Sequence, residues 1–386
     1  MKILYLSKAI LPSEISNSLS IMRMGQAFAD NGHEVILTGI DPGGSNSDPT
    51  EYYGLRGGFK VYRKRLSKLM NNRLAHRLHM SGLSLAQATK HLVKDFKPDV
   101  LYSRLTLSEL ALLPKNIPIV YEMHSLGHLG GYFFDKSAFK LLVSRKNFTR
   151  IIVTTNALAE LMSEMLPGVE TVVARLSAEP PVTVESTELE SFRKNQLQGS
   201  GFAHHAGYTG YLDTIGLRGT DIICKTAARM PDTAFHIVGG TPDTVAHWRQ
   251  YAQAHNQHGN IFFYGFRNPA EIPLFLNCFD VALAPLQFNP SKRAPKGQGM
   301  SPLKIPQYLG YSKAIVASDI PAHREILQDE KNALLVKHDE PAKWSSAIQK
   351  LLDSPKLKNK ICHQAYLDYM AEFTPEIRVK KILKGL

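Results

Sequence analysis

The chain alternates short apolar runs with longer amphipathic stretches, a pattern typical of a parallel β-sheet covered by helices on both faces. In the first half, the apolar runs are Ile3 to Ser7, Glu34 to Ile40, Val100 to Ser103, Pro118 to His124, Arg150 to Thr155 and Glu170 to Arg175. Ser20 to Asn31 carries apolar residues at helical spacing, and Gly32 follows it as a helix stop. The first half therefore predicts an α/β domain that begins with a βαβ unit.

A second series of the same kind follows a segment rich in Pro, Glu, Ser and Gly. Its apolar runs are His205 to Gly210, Ala234 to Gly239, Asn260 to Tyr264, Val281 to Pro285, Ala314 to Ser318 and Ala333 to Val336. We predict an N-terminal Rossmann-like domain over residues 1–176, a linker over 177–201 and a C-terminal Rossmann-like domain over 202–365. Residues 366–386 are expected to form a helix that returns to the N-terminal domain.

The expected fold class is α/β, with two doubly wound domains facing a central cleft. Open parallel sheets bind ligands at the carboxyl ends of their strands. We therefore expect the chemistry to lie in the loops that follow the strands.

The composition is that of a globular enzyme. Its 386 residues, with 44% hydrophobic and 21% charged, fit two domains of ordinary size. Ser7 and Lys8 interrupt the apolar start too early for a signal peptide, and no apolar stretch reaches the roughly 18 to 20 residues of a membrane-spanning helix. The widely spaced Cys224, Cys278 and Cys362 indicate reduced thiols in a cytoplasmic protein, with neither a disulfide framework nor a metal site.

Positive charge is concentrated in one part of the first domain. The formal net charge is +12, and between Glu51 and Asp95 there are ten Lys or Arg residues and no acidic residue. Residues 56–94 could therefore face an anionic membrane surface or another phosphate-rich partner. Their basic side chains include Arg56, Lys60, Arg63, Lys64, Arg65, Lys68, Arg73 and Arg77. A solvated basic face without a partner is the equally open alternative.

The loop that ends at Ser301 has the features of an anion site. Ser301 suits a helix N-cap and Pro302 the first helical position, while Gly297 and Gly299 allow close approach of the backbone. Free N–H groups and the helix dipole attract phosphate at such a terminus. An ordinary cap after an ordinary loop is the alternative.

Two other loops carry candidate chemistry. Arg218, in the loop from Gly207 to Gly219, could bind phosphate oxygens, although a surface salt bridge is a plain alternative. His124 ends an apolar strand of the first domain, where a histidine is more often structural.

Together these stretches resemble the donor-binding signature of glycosyltransferase family four. The resembling segments are Ser301 to Leu309, Lys313 to Asp319, Arg324 to Leu327, Gly207 to Gly210, Ile237 to Gly240, Tyr264 to Phe266 and Asn332 to Val336. They occur at the family's spacing and cover nearly all of the second domain. The first domain is similar more loosely, through Gly32 to Val35 and the pair Glu122 and His124.

The resemblance implies a GT-B fold and a metal-independent sugar transfer that retains the anomeric configuration. It assigns the donor's diphosphate to Arg218 and the helix starting at Ser301, and it places His124 at the sugar. The implied catalytic residues are His124 and Arg218. The implied donor-binding residues are Gly210, Tyr211, Arg218, Gly239, Gly299, Met300, Ser301, Pro302, Leu303, Lys304 and Gln307, and the acceptor-side residues are Asn17, Ser18, Glu122 and His124.

The sequence departs from the family pattern in two places. The family usually has two glutamates eight positions apart where this chain has Gly299 and Gln307. Gln307 can still bond to a ribose hydroxyl, but without the strength of a charged carboxylate. In addition, Ile15 to Ser18 stand where paired glycines often follow the first strand.

The expected function is sugar transfer from a nucleotide-sugar, with a UDP-sugar favoured, to a hydroxyl of a glycan or lipid-linked acceptor. The expected setting is bacterial surface polysaccharide or glycolipid synthesis, in the cytoplasm or at the inner membrane face, without a cofactor. A nucleotide-sugar epimerase of the same fold and a non-catalytic nucleotide-sugar-binding relative remain alternatives. Nucleic-acid binding is not expected, because the basic stretch lacks interleaved stacking motifs.

Overall fold

The computed structural model describes residues 1–41, 43, 47–65, 80–105, 113–124, 139–287 and 303–386. These residues form two units, each built around its own sheet. The first unit contains the described residues up to Arg175 together with Pro375–Leu386, and the second contains the described residues from Leu176 to Thr374.

The described ranges contain thirteen named strands. The first unit has β1 Lys2–Leu6, β2 Glu34–Asp41, β3 Lys60–Arg65, β4 Val100–Ser103, β5 Ile119–Met123, β6 Phe148–Val153 and β7 Thr171–Val173. The second unit has β8 His204–Thr209, β9 Thr233–Val238, β10 Ile261–Gly265, β11 Val281–Ala284, β12 Ala314–Ser318 and β13 Leu334–Val336.

Helices lie between and after these strands. They are α1 Ser16–Asp30, α2 Pro49–Tyr52, α3 Met80–Phe96, α4 Asn156–Met165, α5 Ser186–Asn195, α6 Thr220–Ala227, α7 Pro242–His255, α8 Ile272–Cys278, α9 Lys304–Gly310, α10 Pro321–Arg324, α11 Pro341–Asp353, α12 Pro355–Asp368 and α13 Pro375–Leu383. A 3₁₀ turn over Pro269–Glu271 precedes α8, and a π-helical turn over Tyr369–Phe373 continues α12.

All strand pairs in both sheets are parallel. The first sheet has the order β3-β2-β1-β4-β5-β6-β7 and the second the order β10-β9-β8-β11-β12-β13. The register pairs Leu4 with Ile36 and Leu101 in the first sheet, and Ala282 with Gly207 and Ile315 in the second. In each sheet the first strand therefore lies in the middle and the order reverses beside it, as in a Rossmann fold.

The central strands of each sheet are buried on both faces, as their apolar sequences predict. In β1, Ile3 and Tyr5 pack into one cluster, whereas Leu4 and Leu6 pack into another on the opposite face. The strands of the second sheet alternate in the same way between two apolar clusters. The expected fold class of two doubly wound α/β domains is confirmed.

Three local features differ from the sequence expectation. Strand β3 was not predicted, because its sequence is rich in Lys and Arg and it lies at an exposed sheet edge. Helix α1 begins at Ser16 rather than Ser20, so Asn17 and Ser18 belong to its first turn. Within 177–201, helix α5 buries Phe192 against Phe275 of the second unit.

The cysteines and helices add two observations. Cys224, Cys278 and Cys362 are all free, and the first two are buried. Within the described ranges, no helix combines the length and apolar character needed to cross a membrane.

Candidate functional site

Most described candidate residues follow strands beside the points where the strand order reverses. In the second sheet this point lies between β8 and β11, and Gly210, Tyr211 and Arg218 follow β8. In the first sheet it lies between β1 and β4. Chains leaving neighbouring strands in opposite directions open a crevice at such a point, which is where these folds bind ligands.

Two glycines let the loop after β8 close onto its neighbours. Gly210 has φ +143°, and a Cβ atom there would lie 3.1 Å from the Lys304 ammonium nitrogen. Gly239, at the end of β9, has φ +126°, and its Cβ would lie 2.0 Å from the carbonyl oxygen of Gly210. A side chain at Gly239 would therefore displace the loop that carries Arg218.

The carboxylate of Asp213 organises that loop. It accepts hydrogen bonds of 3.0 Å from the backbone N–H groups of Ile215, Leu217 and Arg218. The Arg218 guanidinium remains 40% exposed and lies 3.9 Å from the same carboxylate. Its Cζ atom lies 5.9 Å from the centre of the exposed Tyr211 ring. A guanidinium has several N–H donors, so Arg218 can bind another anion besides Asp213.

Lys304, the first residue of α9, points into the same region. Its ammonium lies 3.5 Å from the centre of the Tyr208 ring. Burial, and next the positive charge of Arg218, holds the pKa of Lys304 well below its usual range. No carboxylate among the described residues offsets this charge. Lys304 therefore has no carboxylate partner in the described part of the chain, whereas its basic neighbour Arg218 lies beside Asp213.

The remaining donor-side candidates divide into two groups. Leu303 directly precedes α9, and Gln307 lies one turn further along it, with both partly buried. Gly299, Met300, Ser301 and Pro302 lie outside the described residues, as do Lys68, Arg73 and Arg77 of the basic stretch.

A buried ionic network surrounds Glu122 in the first unit. Glu122, on β5, is 2% exposed and accepts hydrogen bonds from the Tyr102 hydroxyl and from His124. The Arg378 guanidinium nitrogen Nη2 donates to its Oε1 at 2.7 Å. Burial alone would raise the pKa of Glu122, but Arg378, His124 and Arg104 outweigh burial and hold it well below the usual range. Glu122 is therefore an anion.

The partners of His124 fix its tautomer. A guanidinium can only donate, so Nδ1 accepts from Arg104 Nη2 at 3.1 Å. A carboxylate can only accept, so Nε2 carries the proton that is donated to Glu122. Burial and then Arg104 lower the pKa of His124 to about 4 against the opposing effect of Glu122. His124 is neutral at pH 7 and a poor general base.

The acceptor-side candidates of α1 lie in different surroundings. Asn17 accepts a hydrogen bond of 2.9 Å from Arg104, which connects it to His124. Ser18 is buried and donates to the carbonyl of Ile10 at 3.0 Å, so its hydroxyl holds the preceding loop.

Sequence reasoning missed three members of the Glu122 network: Tyr102, Arg104 and Arg378. Arg104 directly follows β4, and its place at a strand end was a usable signal. Arg378 lies 256 residues from Glu122, and no local pattern marks it. Among the described residues there is no group of three or more His, Cys, Asp or Glu side chains that could hold a metal ion.

Comparisons with known proteins identify the sequence family to which each half of the chain is similar. Residues 18–177 match the family described as Glycosyltransferase Family 4, and residues 204–354 match glycosyl transferases group 1. Together these matches span most of both units. No curated protein sequence matches significantly.

Several solved structures share the fold over nearly the whole chain. Sucrose-phosphate synthase from Thermosynechococcus elongatus has a TM-score of 0.72 and 17% identity, covering 98% of this chain and 97% of its own. Anabaena HepE with UDP and glucose has a TM-score of 0.72 and 16% identity, covering 100% of both chains. An S. aureus TarM variant with fondaparinux, α-GlcNAc-glycerol and UDP has a TM-score of 0.69 and 13% identity, covering 99% of both.

The Glu122 network predicts a large loss of stability when its only carboxylate is neutralised. Glu122→Gln leaves the buried Arg378 and Arg104 without their anion, so we expect the free energy of unfolding to fall by about 3–5 kcal/mol. Urea denaturation followed by circular dichroism measures this change. Glu34→Gln is the matched control, because Glu34 is 60% exposed and pairs with the 47% exposed Lys2 at 3.8 Å. That variant should lose about 1 kcal/mol or less. Equal losses in the two variants would contradict this account.

Proposed function

The chain is a glycosyltransferase of family four, and we propose that it transfers a sugar from a nucleoside diphosphate to a hydroxyl group of a glycan or lipid-linked acceptor. We propose further that the anomeric configuration is retained and that no metal or other cofactor takes part. The single observation that carries the donor assignment is the pair of cations, Lys304 and Arg218, at the β8 and α9 edge of the second sheet.

Electrostatics favours a diphosphate at this place. The suppressed pKa of Lys304 shows that its positive charge is unfavourable where it lies, because it is buried and faces another cation. Each unit of negative charge placed about 4 Å from one of these cations would contribute roughly 4 kcal/mol at an effective dielectric constant of about 20. A diphosphate carries at least two such charges, so it would relieve the repulsion and order the Arg218 side chain.

Structures that share the fold contain ligands of the same class. HepE has been solved with UDP-glucose, and the TarM variant with UDP and α-GlcNAc-glycerol. We therefore propose a nucleotide-sugar donor, with UDP as its first candidate nucleotide. We also propose that Gly210, Tyr211, Gly239 and Gln307 border the donor, with Gln307 bonding to a ribose hydroxyl.

The proposed reaction places its main electrostatic demand on the leaving group. The bond between the anomeric carbon and the diphosphate oxygen breaks, a bond from the same carbon to the acceptor oxygen forms, and the acceptor proton passes to the departing diphosphate. Arg218 and Lys304 would stabilise the charge that develops on the diphosphate. We propose that His124, in the first unit, contacts the transferred sugar as a neutral group. Its low pKa argues against a role as the proton acceptor.

Arg218 provides the most direct test. We expect Arg218→Gln to lower turnover by about 10²–10³-fold, because it removes a donor to the leaving group. UDP affinity should fall about tenfold or more, since a hydrogen bond to a charged group is lost. A melting-temperature screen with UDP, GDP, ADP, CMP and dTDP measures binding and identifies the nucleotide. The retained anomeric configuration is checked by NMR of the product.

Arg229→Gln is the matched control for Arg218, because Arg229 is exposed in the same unit and lies outside the segments that resemble the donor-binding signature. The control should keep wild-type turnover and nucleotide binding. Normal turnover in Arg218→Gln would refute its assignment. Nucleotide binding without sugar transfer to any acceptor would instead indicate a non-catalytic relative.

Lys304 predicts that nucleotide binding takes up a proton. The pKa of Lys304 is depressed in the free protein, and a bound diphosphate would raise it. UDP should therefore bind more weakly as the pH rises above the pKa of free Lys304. Calorimetry at pH 8 in buffers of different ionisation enthalpy should show proton uptake in the wild type. Uptake should be absent in Lys304→Met, and equal uptake in both proteins would exclude Lys304 as its source.

The basic surface supports a proposal about location. Arg56, Lys60 and Arg65 are exposed in the first unit, and we propose that this face binds the anionic leaflet on the cytoplasmic side of a membrane. We expect the protein to float with vesicles of phosphatidylcholine and phosphatidylglycerol at low salt, and binding should weaken at high salt.

A smaller fraction of the double variant Lys60→Gln/Arg65→Gln should float, because its free energy of membrane binding should be weaker by about 1 kcal/mol for each charge removed. The control Lys343→Gln/Lys350→Gln removes the same charge from exposed lysines of the second unit and should float normally. If the wild type fails to float even at low salt, the membrane proposal is wrong.

A further inference from the structure

Arg378 is a buried arginine of the last helix, α13, and all three of its guanidinium nitrogens have partners. Its Nη2 donates to Glu122 at 2.7 Å, and its Nε contacts the sulfur of Met24 at 3.4 Å. Its Nη1 donates to the backbone carbonyls of Ala174 and Arg175. The residue is 3% exposed, so these contacts replace its hydration. Only a planar group with several fixed donors can make them together.

The position of α13 does not depend on Glu122 alone. The guanidinium of Arg150 donates to the carbonyl of Lys384 at 2.6 Å, just beyond the end of α13. A cation there also complements the negative end of the helix. Val379 and Ile382 pack into the apolar core of the first unit. These contacts fix α13, and α13 in turn fixes the backbone of Arg378. The Arg378 guanidinium can therefore orient the Glu122 carboxylate.

The orientation of Glu122 decides the state of His124. Its carboxylate accepts the Nε2 proton of His124, and Arg104 supplies the opposite hydrogen bond. The charged or titratable groups that influence His124 are Arg104 from the end of β4, Glu122 from β5 and Arg378 from α13. Tyr102 and Tyr5 complete the cluster behind them.

We infer that Arg378 is a positioning residue that fixes the neutral, Nε2-protonated form of His124 by holding the Glu122 carboxylate. The inference rests on the proposed function, because it assumes that His124 contacts the transferred sugar. Among the described residues, Ala174 and Arg175 end the first segment of the first unit, and Pro375 begins its last segment. Arg378 therefore bonds to backbone carbonyls at the end of that first segment and, through Glu122, orients His124.

The first experiment follows the His124 ring itself. Nitrogen-15 NMR of labelled histidines, with His124→Gln to assign the signal, should show a neutral Nε2-protonated ring at pH 7 in the wild type. In Arg378→Met a nearby positive charge is lost. The apparent pKa at which the His124 and Glu122 pair takes up a proton should therefore rise by about one unit or more. Arg378→Lys keeps the charge, so its shift should be smaller.

The second experiment separates positioning from donor binding. UDP release from UDP-glucose should fall about tenfold or more in Arg378→Met, because a displaced group near the reacting atoms loses its alignment. The dissociation constant for UDP should stay within about twofold, since the diphosphate is proposed to bind the second unit. Arg378→Lys should show an intermediate loss, because a lysine cannot reach Glu122 and both carbonyls together. Lys380→Met, at an exposed pair with Glu376 on the same helix, is the matched control and should behave as wild type.

The outcomes are distinguishable. If Arg378→Met does not fold, Arg378→Lys keeps a cation opposite Glu122 and carries both measurements. An unchanged His124 titration in a folded Arg378 variant would overturn the inference, as would a wild-type His124 that is protonated at Nδ1. The NMR result needs no turnover, so a wild type without transferase activity would refute the proposed function and leave the NMR test of Arg378 intact.

Discussion

Parallel pairing of every strand is the constraint from which the rest of the structure follows. Because all strands in a sheet point the same way, their carboxyl ends lie along one edge. The strand order reverses beside β1 in one sheet and beside β8 in the other. Arg218 and Gly210 follow β8, and Arg104 follows β4, next to the first reversal. The fold thus gathers charged side chains from distant parts of the sequence before any specific chemistry is chosen.

The two units treat buried charge in opposite ways. In the first unit, Glu122 is fully paired, and its neighbours hold it as an anion. Such a network is self-contained, so it can orient His124 without a ligand. In the second unit, Lys304 is partly buried beside Arg218, with no carboxylate of the described residues to offset its charge. An unbalanced charge of this kind is unfavourable in the free protein and becomes favourable when an anion arrives.

The charges of the first unit orient a side chain, whereas those of the second unit are suited to binding an anion. The fold alone would not distinguish a transferase from other enzymes with two Rossmann-like sheets. The family matches establish glycosyl transfer, and the basic pair of Lys304 and Arg218 is the physical argument for the proposed diphosphate leaving group. A neutral His124 with both ring nitrogens engaged fits a group that acts by its position.

The sequence by itself determined the strands, since a strand buried on both faces must be apolar along its length. Six of the seven strands of the first sheet and all six of the second were predictable in this way, whereas the charged edge strand β3 was not. Local pattern also identified Arg218, which follows β8, and His124, which follows β5, whereas Lys304 and Glu122 became candidates through the family resemblance. Only the tertiary structure decided which charges are paired, since Arg378 meets Glu122 across 256 residues. The local hydrophobic pattern depends on the helix or strand to which a residue belongs, so it predicts those elements. It does not predict contacts between elements that are far apart in the sequence.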